Sequence, residues 1–264
     1  MATYKATVQY DGTNYFGFQY QKDIPTIQNE INLSLSQLLS GKVTTMGASR
    51  TDTGVHAIEQ IVKITTEHQI ECDSFKTALN QVLPKEVRCL KIEPCEGSFN
   101  PITFSDSKEY RYLFANTVQS RGLESRFMAN YPYELNIPLM HKCAGAIVGR
   151  HDFRNFCSAG SNVKTTIRTV LECELAEIDP HLVLSDSEVF SFSSEIKNCY
   201  QLRIVGKGFL KQMVRHLMSG LWLVGRGKIS EDQFLELLGG QALEKPLWRV
   251  STPRGLYLYR FNGH

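Results

Sequence analysis

Hydrophobic periodicity in the first third of the chain switches in a fixed order, and that order limits the fold more than any other feature. Tyr4, Ala6, Val8 and Tyr10 alternate with Lys5, Thr7 and Gln9, the period of a half-buried strand. Ile27, Ile31, Leu35 and Leu38 then recur at helical spacing, entered after Pro25-Thr26. Two short strands are predicted near Val43–Met46 and Ile58–Thr66, with a polar loop between them. A second helix is predicted from Asp73 to Leu83, with Phe75, Ala78, Leu79 and Val82 on one face. Val87–Ile92 closes the set as a strand. The order β-α-β-β-α-β is the ferredoxin-like, split βαβ or RRM-like pattern.

The second half repeats this loosely. Tyr110, Tyr112 and Phe114 alternate as a strand, and a helix is predicted around Leu139–Val148. Further strands are expected at Ile167–Leu175, Val189–Ser193 and Gln201–Val205. An amphipathic helix is predicted over Phe209–Val224, with Leu210, Met213, Val214, Leu217, Met218 and Leu221 inward. Ser230-Glu231-Asp232-Gln233 reads as a capping box, Gly239-Gly240 as the end of its helix, and Leu256–Phe261 as a final strand. The expected class is α+β. Two such halves meet near residue 100: an N-terminal domain over 1–100 and an elaborated C-terminal domain over 101–264, flanking an active-site cleft.

With 264 residues, 42% of them hydrophobic, the chain can bury a full core without disulfide staples. No run approaches the ~20 apolar residues of a membrane span, and Met1–Lys5 does not read as an export leader. Seven cysteines without a CxxC read as reduced thiols in the cytoplasm. No paired Cys or His spacing supports a metal site. The net charge is only +2, but its distribution is uneven. Leu171 to Glu195 holds seven acids and no Lys or Arg, whereas Ile196 to Ser230 holds seven basic residues and no acid. Such a segregated positive face suits a polyanion; two solvated faces whose charges happen to segregate are the plainer alternative.

The loop Gly47-Ala48-Ser49-Arg50-Thr51-Asp52-Thr53-Gly54-Val55-His56-Ala57 places Arg, Asp and His within seven positions between two predicted strands. A plain hairpin, with Gly54 at a positive φ, would explain the same composition. Asp52-Thr53-Gly54 also suggests an aspartic protease. That chemistry needs two carboxylates sharing a proton, and the chain has no second DTG or DSG. A guanidinium beside Asp52 would moreover keep it ionised.

Taken in order, the segments resemble the TruA family of tRNA pseudouridine synthases. Ser49 to Ala57 resembles its GRTDAGVHA signature. Tyr10-Asp11-Gly12-Thr13 with Gly17-Phe18-Gln19, and Thr26-Ile27-Gln28-Asn29-Glu30, resemble its first turn and helix. Tyr110-Arg111-Tyr112 is similar to its YRY strand, Gly149 to Phe153 with Phe156 to its GxHDFxxF segment, and Gly208 to Arg215 to its GxxFLxxMVR helix. Pro253-Arg254-Gly255-Leu256 is similar to its closing PxGL.

The resemblance implies an isomerase that needs no cofactor and no metal. It converts uridine to pseudouridine in the tRNA anticodon stem-loop, at positions 38, 39 and 40 in tRNA numbering. It also implies a homodimer with one tRNA crossing both subunits, and no membrane. Asp52 would be the nucleophile and Arg215 its electrostatic partner. Tyr110 would pack on the base or move a proton, and Arg50 would fill the space of a flipped nucleotide. Lys207, Lys211, Arg150 and Arg154 are candidates for phosphate contact, Lys211 being expected on the face of the helix that carries Arg215. His56 is expected to be a satisfied loop or core residue. Three positions depart from the family pattern: Ser49 for Gly, Thr53 for Ala and Phe18 for Trp. The rival reading is an RNA-binding module without catalysis, which would have no use for an aspartate facing a polyanion.

Overall fold

The computed structural model describes residues 1–116, 126–158, 163–184, 187–190, 197–243 and 245–263. They form two compact units: Met1–Asp106 with Asp186–Ser191 and Tyr257–His264, and Ser107–Ser185 with Phe192–Leu256. The architecture is α+β.

The first unit begins β1 (Ala2–Tyr10), α1 (Ile27–Leu38), β2 (Val43–Gly47), β3 (His56–Thr66), α2 (Cys72–Val82) and β4 (Val87–Pro94). Its strands lie in the order β4-β1-β3-β2, every neighbour antiparallel. That is the ferredoxin-like arrangement anticipated from periodicity. The alternating residues of β1 do face the core, with Tyr4, Ala6, Val8 and Tyr10 all buried. The Thr26 side chain caps α1 by accepting from the Asn29 amide, and Ile27, Ile31 and Leu35 are buried. Glu71 does the same for α2, accepting from the amides of Asp73 and Ser74.

The second unit holds β5 (Ser107–Ala115), β6 (Ala129–Asn130), α3 (Ile137–Ala146), β7 (Gly149–Asp152), β8 (Ile167–Glu177), the one-turn α4 (Pro180–Val183), β9 (Cys199–Gly206), α5 (Met213–Gly225) and α6 (Glu231–Leu238). The sheet runs β5-β9-β8-β7, antiparallel throughout, with β6 parallel to β5. On α5, Trp222 stacks on Tyr131 at 4.1 Å and meets Tyr112 and Phe114 edge-on. The capping box at Ser230 forms as read, with both reciprocal hydrogen bonds present.

Two expectations fail locally. The amphipathic helix starts at Met213, not Phe209, because Gln212 takes a left-handed backbone (φ 60°) that no helical ladder accepts. Lys211 therefore lies in the turn before α5, not on the face that carries Arg215. The strand expected at Val189–Ser193 is absent at Val189 and Phe190; residues 191–193 lie outside those described.

Glu188 and Phe190 instead help complete the first unit. The Glu188 amide donates to Gln9 Oε1, and Arg88 pairs with the Glu188 carboxylate at 2.9 Å. Phe190 meets His56 and Tyr257 edge-on. The last strand, β10 (Leu256–Asn262), pairs in parallel with β3 through Tyr257 opposite His56 and Leu258 opposite Ala57.

Candidate active site

Asp52 lies in the connection from β2 to β3, half-buried between a buried Thr51 and an exposed Thr53. The backbone around it is fixed at almost every step. The Ala48 amide donates to the Ile61 carbonyl. The Gln60 side chain accepts from the Ser49 amide and donates to the Ser49 carbonyl at 2.7 Å. Thr51 Oγ1 lies 2.7 Å from the Tyr10 hydroxyl, and the Thr51 carbonyl accepts from the Phe18 amide. The Val55 amide donates to the Asp52 carbonyl, closing a turn in which Gly54 takes φ 75°. The hairpin geometry read from the sequence is real, and it holds the carboxylate's backbone in place.

The family departures fit this scaffold. Among the described residues, only Asp23, Asn198 and Gln212 adopt a positive φ without being glycine. Ser49 thus sits in ordinary backbone and needs no glycine. Phe18 is fully buried against Tyr10. Arg50 is exposed.

Behind the loop, His56 is wholly buried; its Nδ1 lies 3.2 Å from Asp11 Oδ1 and from the Gly12 amide. Its ring stacks on Tyr257 at 4.9 Å. This is the satisfied core residue expected from the sequence. Burial by itself raises the Asp11 carboxyl, but His56 and the Thr13 hydroxyl and amide outweigh it and bring its pKa down to about 2.

In the second unit, Tyr110 is buried on β5 with its ring edge-on to Phe209 at 5.1 Å. Tyr112, two residues on, is a core aromatic whose hydroxyl donates to the Thr252 carbonyl. Arg215 stands in the first turn of α5 and is only 7% exposed. Its Nε donates to the Ser251 carbonyl at 2.7 Å, while the Ser219 and Ser251 hydroxyls donate to its own carbonyl. Neither partner was marked by sequence pattern. Lys207 and Lys211 are exposed. Arg154 is held by Asp152 through Nε and Nη2.

One neighbour of Arg215 resembles a nucleophile with its base but is not one. His216 Nε2 lies 2.9 Å from Ser158 Oγ, and Trp248 donates to His216 Nδ1. An indole N–H only donates, so the imidazole proton sits on Nε2 and points at Ser158, whose own hydrogen goes to Gln212 Oε1. The ring cannot take the serine proton. The chain of bonds instead braces the left-handed turn at Gln212 that starts α5.

Burial, then the Arg215 charge, press the His216 pKa down to about 4. Asp11 and His216 both bind protons more weakly when folded, so the unfolded state takes up more protons and stability falls with pH. For His216 the loss runs from the ordinary imidazole value of 6.5 down to about 4; for Asp11 it runs from the ordinary carboxyl value of 3.8 to about 2. The urea midpoint is thus expected to decline from near neutrality downward. His216→Gln, which can keep both hydrogen bonds, should flatten the upper part of that decline; an unaltered profile would remove His216 from the account.

The tRNA pseudouridine synthase family matches residues 6–102 and 144–262 of this sequence. The chain belongs to that family. A tRNA pseudouridine synthase A from Listeria innocua is 34% identical over 261 residues, covering 98% of each chain. One from Thermoanaerobacter sp. is 35% identical over 257 residues, covering 96% of each. A chain in the crystal structure of a Cbf5–Nop10–Gar1 complex aligns with a TM-score of 0.36 at 12% identity, over 83% of this chain and 44% of that one.

The enzyme is therefore an isomerase that forms pseudouridine in tRNA. Arg50, Asp52, Lys207, Lys211 and Arg215 fall inside the matched stretches, and Tyr110 lies between them. Among the described residues, no helix is long and apolar enough to cross a membrane.

Proposed function

We propose that the enzyme acts on uridines 38, 39 and 40 of the tRNA anticodon stem-loop, with Asp52 as nucleophile toward an extruded nucleoside. The observation that carries this reading is the rigid Asp52 loop inside the family match. In the reaction the N1–C1′ bond breaks, the uracil turns, and C5 joins C1′. C5 loses its proton to solvent and N1 gains one, so the composition of the tRNA is unchanged. Asp52 must be ionised to act, and an opposite charge favours that form. Arg215 supplies it in this reading. Tyr110 packs on the base or carries a proton, and Arg50 occupies the place the base leaves. Lys207 and Lys211 contact phosphate. Asp52 belongs to the first unit, and Tyr110 and Arg215 to the second. The working form is a cytoplasmic homodimer.

Loss of the C5 hydrogen makes the test direct. Undermodified tRNA tritiated at uridine C5 should release tritium, with the new residues mapped by carbodiimide to the three positions. Release from other uridines would move the target, and absence of release from any tRNA would overturn the reading. Arg215→Ala should lower kcat by about 10²- to 10³-fold, the scale of a preorganised electrostatic partner. It should also shift the acidic limb of the pH–rate profile upward, because Asp52 loses its counter-charge. A profile and kcat like those of the parent enzyme would separate Arg215 from Asp52.

A further inference from the structure

Three arginines of the second unit have carboxylate partners: Arg111 and Arg203 share the buried Glu109, Arg203 also meets Glu172, and Arg154 holds Asp152. Three cations differ. Arg150 on β7, Arg168 on β8 and Lys207 just past β9 line one cavity of about 360 Å³ with Thr165, Thr169 and Gly208. No carboxylate lines it, and among the described residues none of the three cations is in an ion pair.

Strand pairing makes them neighbours. Arg150 stands opposite Thr169, His151 opposite Arg168, and the Lys207 amide donates to the Thr169 carbonyl. Adjacent strands thus carry the three cations at or just past neighbouring positions, and all three line the same hollow. The acid nearest in sequence, Asp152, is turned to Arg154 and Thr166. Arg168 is also set in advance, since its Nη1 donates to the carbonyls of Thr165 and Ile167. Like charges gathered in a concavity without a counter-ion make a site for an anion, and guanidinium forks suit phosphate oxygens.

We propose that this cavity is a phosphodiester subsite that grips the tRNA backbone. The proposal rests on the reading of tRNA as substrate. The hydroxyls of Thr165 and Thr169 add neutral donors, and the subsite reads backbone, not bases, so it sets affinity and register without choosing sequence.

The test is tRNA binding by the full chain over a range of KCl concentrations, with tritium release followed on the same tRNA. Each phosphate contact contributes about 0.7–0.9 to the slope of log K against log salt. Arg150→Gln and Lys207→Gln should each reduce that slope by about this amount and weaken binding several-fold, whereas Arg150→Lys should keep most of the slope. Parent-like slopes in both glutamine variants would overturn the subsite. A second arm titrates inorganic phosphate. Phosphate binding abolished by Arg150→Gln, with the tRNA slope unaltered, would overturn the backbone contact in favour of a small-anion site. A parent protein that binds tRNA through this cavity but releases no tritium would sink the catalytic reading and leave the subsite standing.

Discussion

Asp52→Asn is expected to abolish pseudouridine formation while tRNA binding and the fold survive. The substitution keeps shape and removes one charge. The bonds that hold the loop use the Thr51 and Asp52 carbonyls, the Val55 amide and the Gln60 side chain, so they persist without a carboxylate. Loss of a group that forms the covalent intermediate costs at least about 10⁴-fold in turnover in enzymes where it has been isolated. Tritium release should therefore fall to background, with the melting temperature and the binding isotherm near those of the parent. Parent-like turnover would end the nucleophile assignment.

The second large effect is expected from a residue that meets no substrate. Gly17 has φ 92°, and a Cβ there would lie 2.6 Å from the Thr51 carbonyl oxygen and 3.4 Å from the Asp52 carbonyl carbon. Gly17→Ala imposes the left-handed cost of about 1–2 kcal/mol and presses on the peptide that carries Asp52. The neighbouring bond from the Phe18 amide to the Thr51 carbonyl leaves that peptide little room to yield. A displacement near 1 Å can cost about 100-fold in rate. The expected result is a kcat loss of that order with KM for tRNA little changed. An equal fall in binding and turnover would mean that the loop had unfolded instead of shifting.

Much of this was legible in the chain. Period-two alternation marked β1, helical spacing and Thr26 marked α1, and the contiguous Arg50–His56 motif marked the loop. The scaffold of that loop was not, because Tyr10, Phe18 and Gln60 reach it across long sequence separations. The start of α5 was misplaced for a different reason. Leu210, Met213, Val214 and Leu217 keep helical spacing through Gln212, and spacing does not report the sign of φ. At Val189-Phe190 an apolar pair was read as strand, but Phe190 is buried against His56 and Tyr257, outside any strand.

The pairing of β10 with β3 bears on biosynthesis. The flank of β3 at His56 and Ala57 is covered by Tyr257 and Leu258, which are made long after β3. Until then the nascent chain carries an open sheet edge and a half-clothed imidazole directly after the Asp52 loop. Catalytic competence should accordingly appear only once β10 has been made and can pair, and chains stalled before it should be prone to proteolysis and aggregation.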